Sequence, residues 1–148
     1  MADYITRAEG DTYFSNRLNT DVWDDAVDGD QNAAINESTL AIDRLNFIGN
    51  KEVATQVNQF PRGSDTVVPQ DIKDACAEEA IRRLDGVSEE EEYEGLRIQK
   101  NQYADVNINE DVGMVPRHII AGIMSIKAWR LLLPFIRDPH SMALSRVN

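Results

Sequence analysis

The sequence predicts a mainly α-helical domain, a small bundle of about four to five helices with a β-hairpin between the last two long ones. Three observations lead there. Apolar residues recur at helical spacing through Ala34, Ile35, Ala41, Ile42 and Leu45, and again through Ile72, Ala75, Cys76, Ala80 and Leu84. Helix-start and helix-stop residues bracket such stretches, among them Thr6 with Glu9, Pro69, Gly49 and Gly86. Period-two alternation is confined to Leu96–Lys100 and Tyr103–Asn109, which suggests two strands turning near Asn101 and Gln102. With 148 residues, 42% of them hydrophobic, the chain has material for one core, so residues 1–137 read as a single domain and 138–148 as a C-terminal extension.

Taken in order, Thr6-Arg7-Ala8-Glu9 has the form of a capping box opening a helix to about Leu18, with Phe14 and Leu18 four apart on its inward face. Thr20 and Asp21 cap a short turn that presents Val22, Trp23 and Ala26. Asp28-Gly29-Asp30 then reads as a break before a helix from about Gln31 to Phe47, stopped by Gly49. Residues 50–67 show no sustained period and read as a surface loop pinned by Phe60. Pro69 suits the first helical position because its missing amide hydrogen has no partner to lose there. The helix it opens runs to Leu84, and Gly86 is placed to close it in a left-handed cap. Ser88 and five glutamates between Glu89 and Glu94 follow, a run best read as a solvated face. Val115-Pro116 opens the final helix, along which Ala121, Gly122, Ser125 and Ala128 form a band of small residues.

Composition narrows the chemistry. The formal charge is −11, with 15 Lys and Arg against 26 Asp and Glu, so the summed field repels phosphate unless cations gather on one face. Cys76 is the single cysteine, which rules out an internal disulfide, fits a reducing compartment or an indifferent one, and reads as a small buried hydrophobe. The N-terminal residues lack a secretion signal, and synthesis in a cytoplasm is expected. Ile119–Ile136 is apolar but carries Lys127 and Arg130 in its middle, which argues for a core helix over a membrane span. Electrostatics of the helix end accounts for Lys127, Arg130 and Arg137 without a ligand.

Asp24, Asp25, Asp28 and Asp30 invite a calcium-loop reading, but that template puts Ala26 and Ile35 where oxygen ligands are required. His118 and His140 stand apart with no zinc-type spacing, and no nucleophile elbow, phosphate loop or dinucleotide fingerprint occurs. The expectation is a protein that is no enzyme, with no catalytic residues, metal or cofactor.

Several motifs nevertheless fall in a distinctive order: Tyr4-Ile5-Thr6-x-Ala8-Glu9, Tyr13-Phe14, Arg17-Leu18, Trp23, and Ala41-Ile42-Asp43-Arg44-Leu45-Asn46-Phe47-x-Gly49. Phe60-Pro61-Arg62, Val68-Pro69-x-x-Ile72-Lys73-x-Ala75, Ala128-Trp129-Arg130 and Leu133-Pro134-Phe135-Ile136-Arg137 continue it. In this order the chain resembles the head-tail connector (adaptor, or head-completion) proteins of tailed bacteriophages. The resemblance implies a structural virion protein that forms a ring, of twelve copies, between the portal protein and a tail or stopper (nozzle) protein. Its ring would continue the channel through which DNA passes on genome ejection, with no sequence-specific binding and no membrane.

Such a protein would be made in the host cytoplasm and reside at the head-tail interface of the virion. An acidic channel wall that does not grip passing DNA would suit that role. On this reading the candidate portal or subunit contacts are Leu96, Ile98, Tyr103, Val106 and Ile108 of the hairpin and Met142, Leu144 and Val147 of the extension. Phe60 and Trp129 are expected in the core, and Arg62 as a loop-fixing ion-pair partner.

Relatives of such proteins are also labelled DnaT-like single-stranded-DNA-binding proteins, which is the alternative function. That alternative calls for a basic groove interleaved with aromatics. Aromatics make up only 7% of this chain, and the expected hairpin carries Arg97, Lys100 and one tyrosine. A monomeric regulatory domain of phage origin is a third class.

Overall fold

Thr6 and Glu9 form a reciprocal capping box, the Thr6 hydroxyl accepting from the Glu9 amide at 3.3 Å and Glu9 Oε2 accepting from the Thr6 amide at 2.7 Å. In the computed structural model, which describes residues 2–86, 88–94 and 115–137, this box opens α1 (Arg7–Phe14). It is followed by α2 (Asp21–Asp24), α3 (Asp28–Asp43) and α4 (Gln70–Leu84). A helical stretch at 89–94 (α5), then α6 (Arg117–Ile120), α7 (Ile126–Leu132) and a 3-10 turn (Leu133–Phe135) complete the described chain. The fold is mainly α, as the sequence predicts. No strand occurs among the described residues, and the expected hairpin at 96–109 lies outside them.

The helix limits depart from expectation in four places, each for a local reason; α3 ends at Asp43 and not near Phe47, because Phe47 is taken into a bridge with Ile136. Helix α1 stops at Phe14, and Asn19 takes a left-handed φ of 60° in the following turn. The chain reverses before another turn could carry Leu18 to the inner face, and Leu18 ends 88% exposed. Asp28-Gly29-Asp30 proves to be the first turn of α3, where the two carboxylates meet the positive end of the helix. The expected single C-terminal helix is broken at Gly122, whose φ of 80° favours glycine. Ser125 then caps α7, accepting from the Ala128 amide at 3.2 Å, so the small residues do not form one helical band.

Helix α4 packs along α3 on one side and α7 on the other, with Ile35, Ile42, Ile72, Cys76, Ile123 and Leu132 buried between them. Gly10 of α1 lies against the buried Trp23 indole, where a Cβ would come within 2.7 Å of a ring carbon. Phe60 is core as expected, edge-on to Tyr4, Phe47 and Phe135 with ring centroids 6.1, 4.7 and 5.7 Å away. Trp129 is half-buried against the edge of the core, 6.5 Å from the His118 ring. Phe47 is drawn in by an antiparallel bridge to Ile136, closed by Ile48 N–H to the Phe135 carbonyl and Arg137 N–H to the Asn46 carbonyl.

The loop at 50–67 is ordered by an antiparallel bridge between Lys51 and Arg62, closed by Glu52 N–H to the Pro61 carbonyl and Gly63 N–H to the Asn50 carbonyl, and by side chains bonded to main-chain carbonyls. Arg62 fixes it, though not through an ion pair: its guanidinium donates to the carbonyls of Ile48, Phe47, Gly49 and Gln59 and to the Gln59 side-chain oxygen. Lys51 donates to the Gln56 and Val57 carbonyls at 3.1 Å each. Among the described residues no helix is long and apolar enough to cross a membrane.

Candidate interaction surface

The centre of α4 carries two consecutive glutamates, Glu78 and Glu79, both buried. Successive helical positions point about 100° apart, so the two carboxylates meet different neighbours. Glu79 accepts from the Met124 amide at 3.0 and 3.1 Å and from the Ser125 amide at 2.9 Å, and pairs with Arg83 at 3.0 Å. Arg83 in turn reaches Glu89 at 2.8 Å and the Gly122 carbonyl at 3.2 Å. Burial raises the Glu79 carboxyl above its usual range against the pull of the two amides and Arg83. This node fastens the turn between α6 and α7 onto α4 and leaves no open face.

Glu78 is completed differently. The Tyr13 hydroxyl donates to Oε1 at 2.9 Å, while Arg17 and Lys127 stand 3.6 and 3.7 Å away. Arg17 also stacks over the Tyr13 ring at 4.0 Å. Burial, reinforced by the Glu78 carboxylate, raises the Tyr13 phenol, which stays protonated and donates. Two partly exposed cations thus share one carboxylate that already has a hydroxyl donor.

Lys127 is the second residue of α7, at its positive end, so helix electrostatics disfavours it there and Glu78 supplies the counter-charge. Beside this cluster opens a cleft of about 630 Å³, floored by Phe14, Ile81 and Met124 and rimmed by Leu18 and Ile126. Its lining also carries Asp21, Asp85 and Glu92, the last two paired with Arg82.

The contacts expected from sequence, Leu96, Ile98, Tyr103, Val106, Ile108, Met142, Leu144 and Val147, all lie outside the described residues. The aspartates Asp24, Asp28 and Asp30 fall on helices, and no group of three or more potential metal ligands occurs among the described residues. His118 is half-buried with Nδ1 2.8 Å from the Ile123 carbonyl, a structural position. Sequence reasoning missed Arg17, Leu18, Glu78 and Lys127 as a group. Periodicity puts Leu18 inside, and nothing local announces that residues 17, 78 and 127 meet.

Most described cations are engaged within the molecule. Arg7 pairs with Asp28, Lys73 with Glu9, Arg82 with Asp85 and Glu92, and Arg83 with Glu79, Glu89 and Glu37. Lys51 and Arg62 are occupied by carbonyls. Arg44, Arg130 and Arg137 are exposed and make no ion pair among the described residues. The bridge between Phe47 and Ile136 sets Arg137 opposite Asn46, two positions from Arg44.

A family model described as "Putative DnaT-like ssDNA binding protein" matches residues 2–126. That description corresponds to the alternative named from sequence. No curated protein and no solved structure gives a match.

Proposed function

The chain belongs to the family described as "Putative DnaT-like ssDNA binding protein", and on grounds other than that description we propose that this member works by assembly, as a ring-forming adaptor between a phage portal and its tail. The observation that carries this reading is the state of its cations: most of those among the described residues are held by intramolecular carboxylates or carbonyls, in a chain of net charge −11. Neutralising phosphates requires cations that can exchange water and counterions for the ligand. A surface of this kind repels a polyanion and suits a channel wall past which DNA slides. The ordered run of connector-like motifs from Tyr4 to Arg137 supports the same role.

A second reading, direct binding of single-stranded DNA, is favoured by the family description itself and by the arginines left unpaired near the bridge, Arg44 and Arg137. One pair of experiments separates the two. Electron microscopy of the protein mixed with the portal of its own phage should show an added ring on the portal's outer end. In parallel, a labelled oligonucleotide titrated at low salt should remain free. Oligonucleotide binding that weakens steeply with salt and disappears in Arg44→Glu/Arg137→Glu, with no added ring, would overturn the adaptor reading in favour of the second.

A further inference from the structure

The cleft beside Glu78 combines exposed cations with exposed apolar side chains. Leu18 is the most exposed large apolar side chain there, and Ile126 beside it is 46% exposed. A second hollow of about 520 Å³ lies on the other side of Arg17, Leu18, Asn19 and Lys127, so this rim stands free on both flanks. The two cations on it share one buried carboxylate, and Lys127 is 69% exposed. The rim therefore presents positive charge and an apolar knob together on an otherwise acidic molecule.

A complementary element exists on the same chain. Helix α5 at 89–94 carries Glu90 and Glu94, both exposed and without an ion pair among the described residues. Its other face is committed at home, with Glu89 on Arg83 and Glu92 on Arg82. A phosphate chain laid along the cleft would meet the carboxylates of Asp21, Asp85 and Glu92 that also line it. A helix that places only one or two carboxylates against Arg17 and Lys127 avoids them.

We propose that the rim formed by Arg17, Leu18 and Lys127 receives the outer face of α5 from a second copy of this chain. The contact pairs two different surfaces, so repeated copies join head to tail and close into a ring if the rotation permits. It rests on the ring-assembly reading above and identifies its subunit interface. Charge pairing of this exposed kind sets register and weakens with salt.

The test is a disulfide trap. Leu18→Cys and Glu90→Cys are both at exposed positions, and the native Cys76 is buried and takes no part. The double variant, mildly oxidised alone at high concentration and with portal, should give covalent multimers that neither single variant gives. High salt or Lys127→Glu should suppress them several-fold, and adding Glu94→Lys on the docking helix should restore them.

The inference falls if no multimers form in either condition, if the single variants cross-link equally, or if the cysteine introduced at position 18 bonds to the portal protein instead. A ring on the portal without the 18–90 bond would discard this interface and leave the adaptor reading intact. Cross-linked multimers that never dock on a portal would do the opposite.

Discussion

Glu78 and Glu79 are neighbours in sequence and both buried, yet they do opposite things. Glu79 is completed by main-chain amides from forty-five residues away and by an arginine that is itself pinned at several points. Glu78 is completed by side chains, one hydroxyl and two cations that keep much of their hydration. A buried charge satisfied by backbone is architecture, since its partners cannot leave without unfolding something. When mobile side chains do the satisfying, the same charge anchors a surface whose cations stay available to an outside group.

The sharpest way to break this comparison is truncation. Glu79→Ala strands two buried amides and Arg83, and is expected to cost about 3–5 kcal/mol in urea denaturation, the range seen when one partner of a buried pair is removed. Glu78→Ala removes one hydroxyl partner and two loose ones, and about 1–2 kcal/mol is expected. Equal losses would mean that the two sites are energetically alike.

Acid-base titration sharpens the same contrast with opposite signs. Burial raises the folded-state pKa of Glu79 above its unfolded value near 4.5, so its contribution to stability is full below that value and fades as pH rises through the folded pKa. Glu79→Gln should flatten the fall in stability on the alkaline side of pH 4.5. Glu9 is held at about 2 by Lys73 and the Thr6 amide, so its contribution is present above 4.5 and disappears as pH drops toward 2. Glu9→Gln should remove part of the acid-side slope. Stability curves of the two variants that change on the same side of pH 4.5 would contradict the assignment.

Two smaller effects complete the series. The Cys76 thiol is pushed up to about 12 by burial, so a thiol reagent at neutral pH should reach it only through opening of the core. Glu79→Ala should then accelerate labelling more than Glu78→Ala does. Leu18→Ser should leave the unfolding midpoint nearly unchanged, within about 0.5 kcal/mol, while weakening self-association. A large stability loss at residue 18 would place it in the core after all.

Much of the scaffold is legible in the sequence because it follows local rules. The Thr6–Glu9 box, the helix beginning after Pro69, the left-handed Gly86 and the burial of Phe60 and Cys76 each rest on residues close in sequence or on a clean apolar period. What escapes depends on partners far along the chain. Helical spacing sets Glu79 within the apolar face of α4 and Glu78 off it, and the burial of both carboxylates follows only when residues 13, 17, 124, 125 and 127 arrive. Arg62 reads correctly as a loop fastener but with the wrong chemistry, since carbonyls leave no trace in a residue pattern. The break at Gly122 is hidden by the apolar residues flanking it, which look continuous until backbone handedness is considered.

The two tryptophans give the molecule a built-in pair of optical reporters. Trp23 is sealed beneath Gly10 and bonded through Nε1 to Asp11, whereas Trp129 stands half-buried on α7 beside His118. The first emits from the packing of α2 on α1, the second from the C-terminal layer that Glu79 fastens down. Replacing one indole at a time with phenylalanine would let unlabelled fluorescence tell which layer loosens first when a partner arrives.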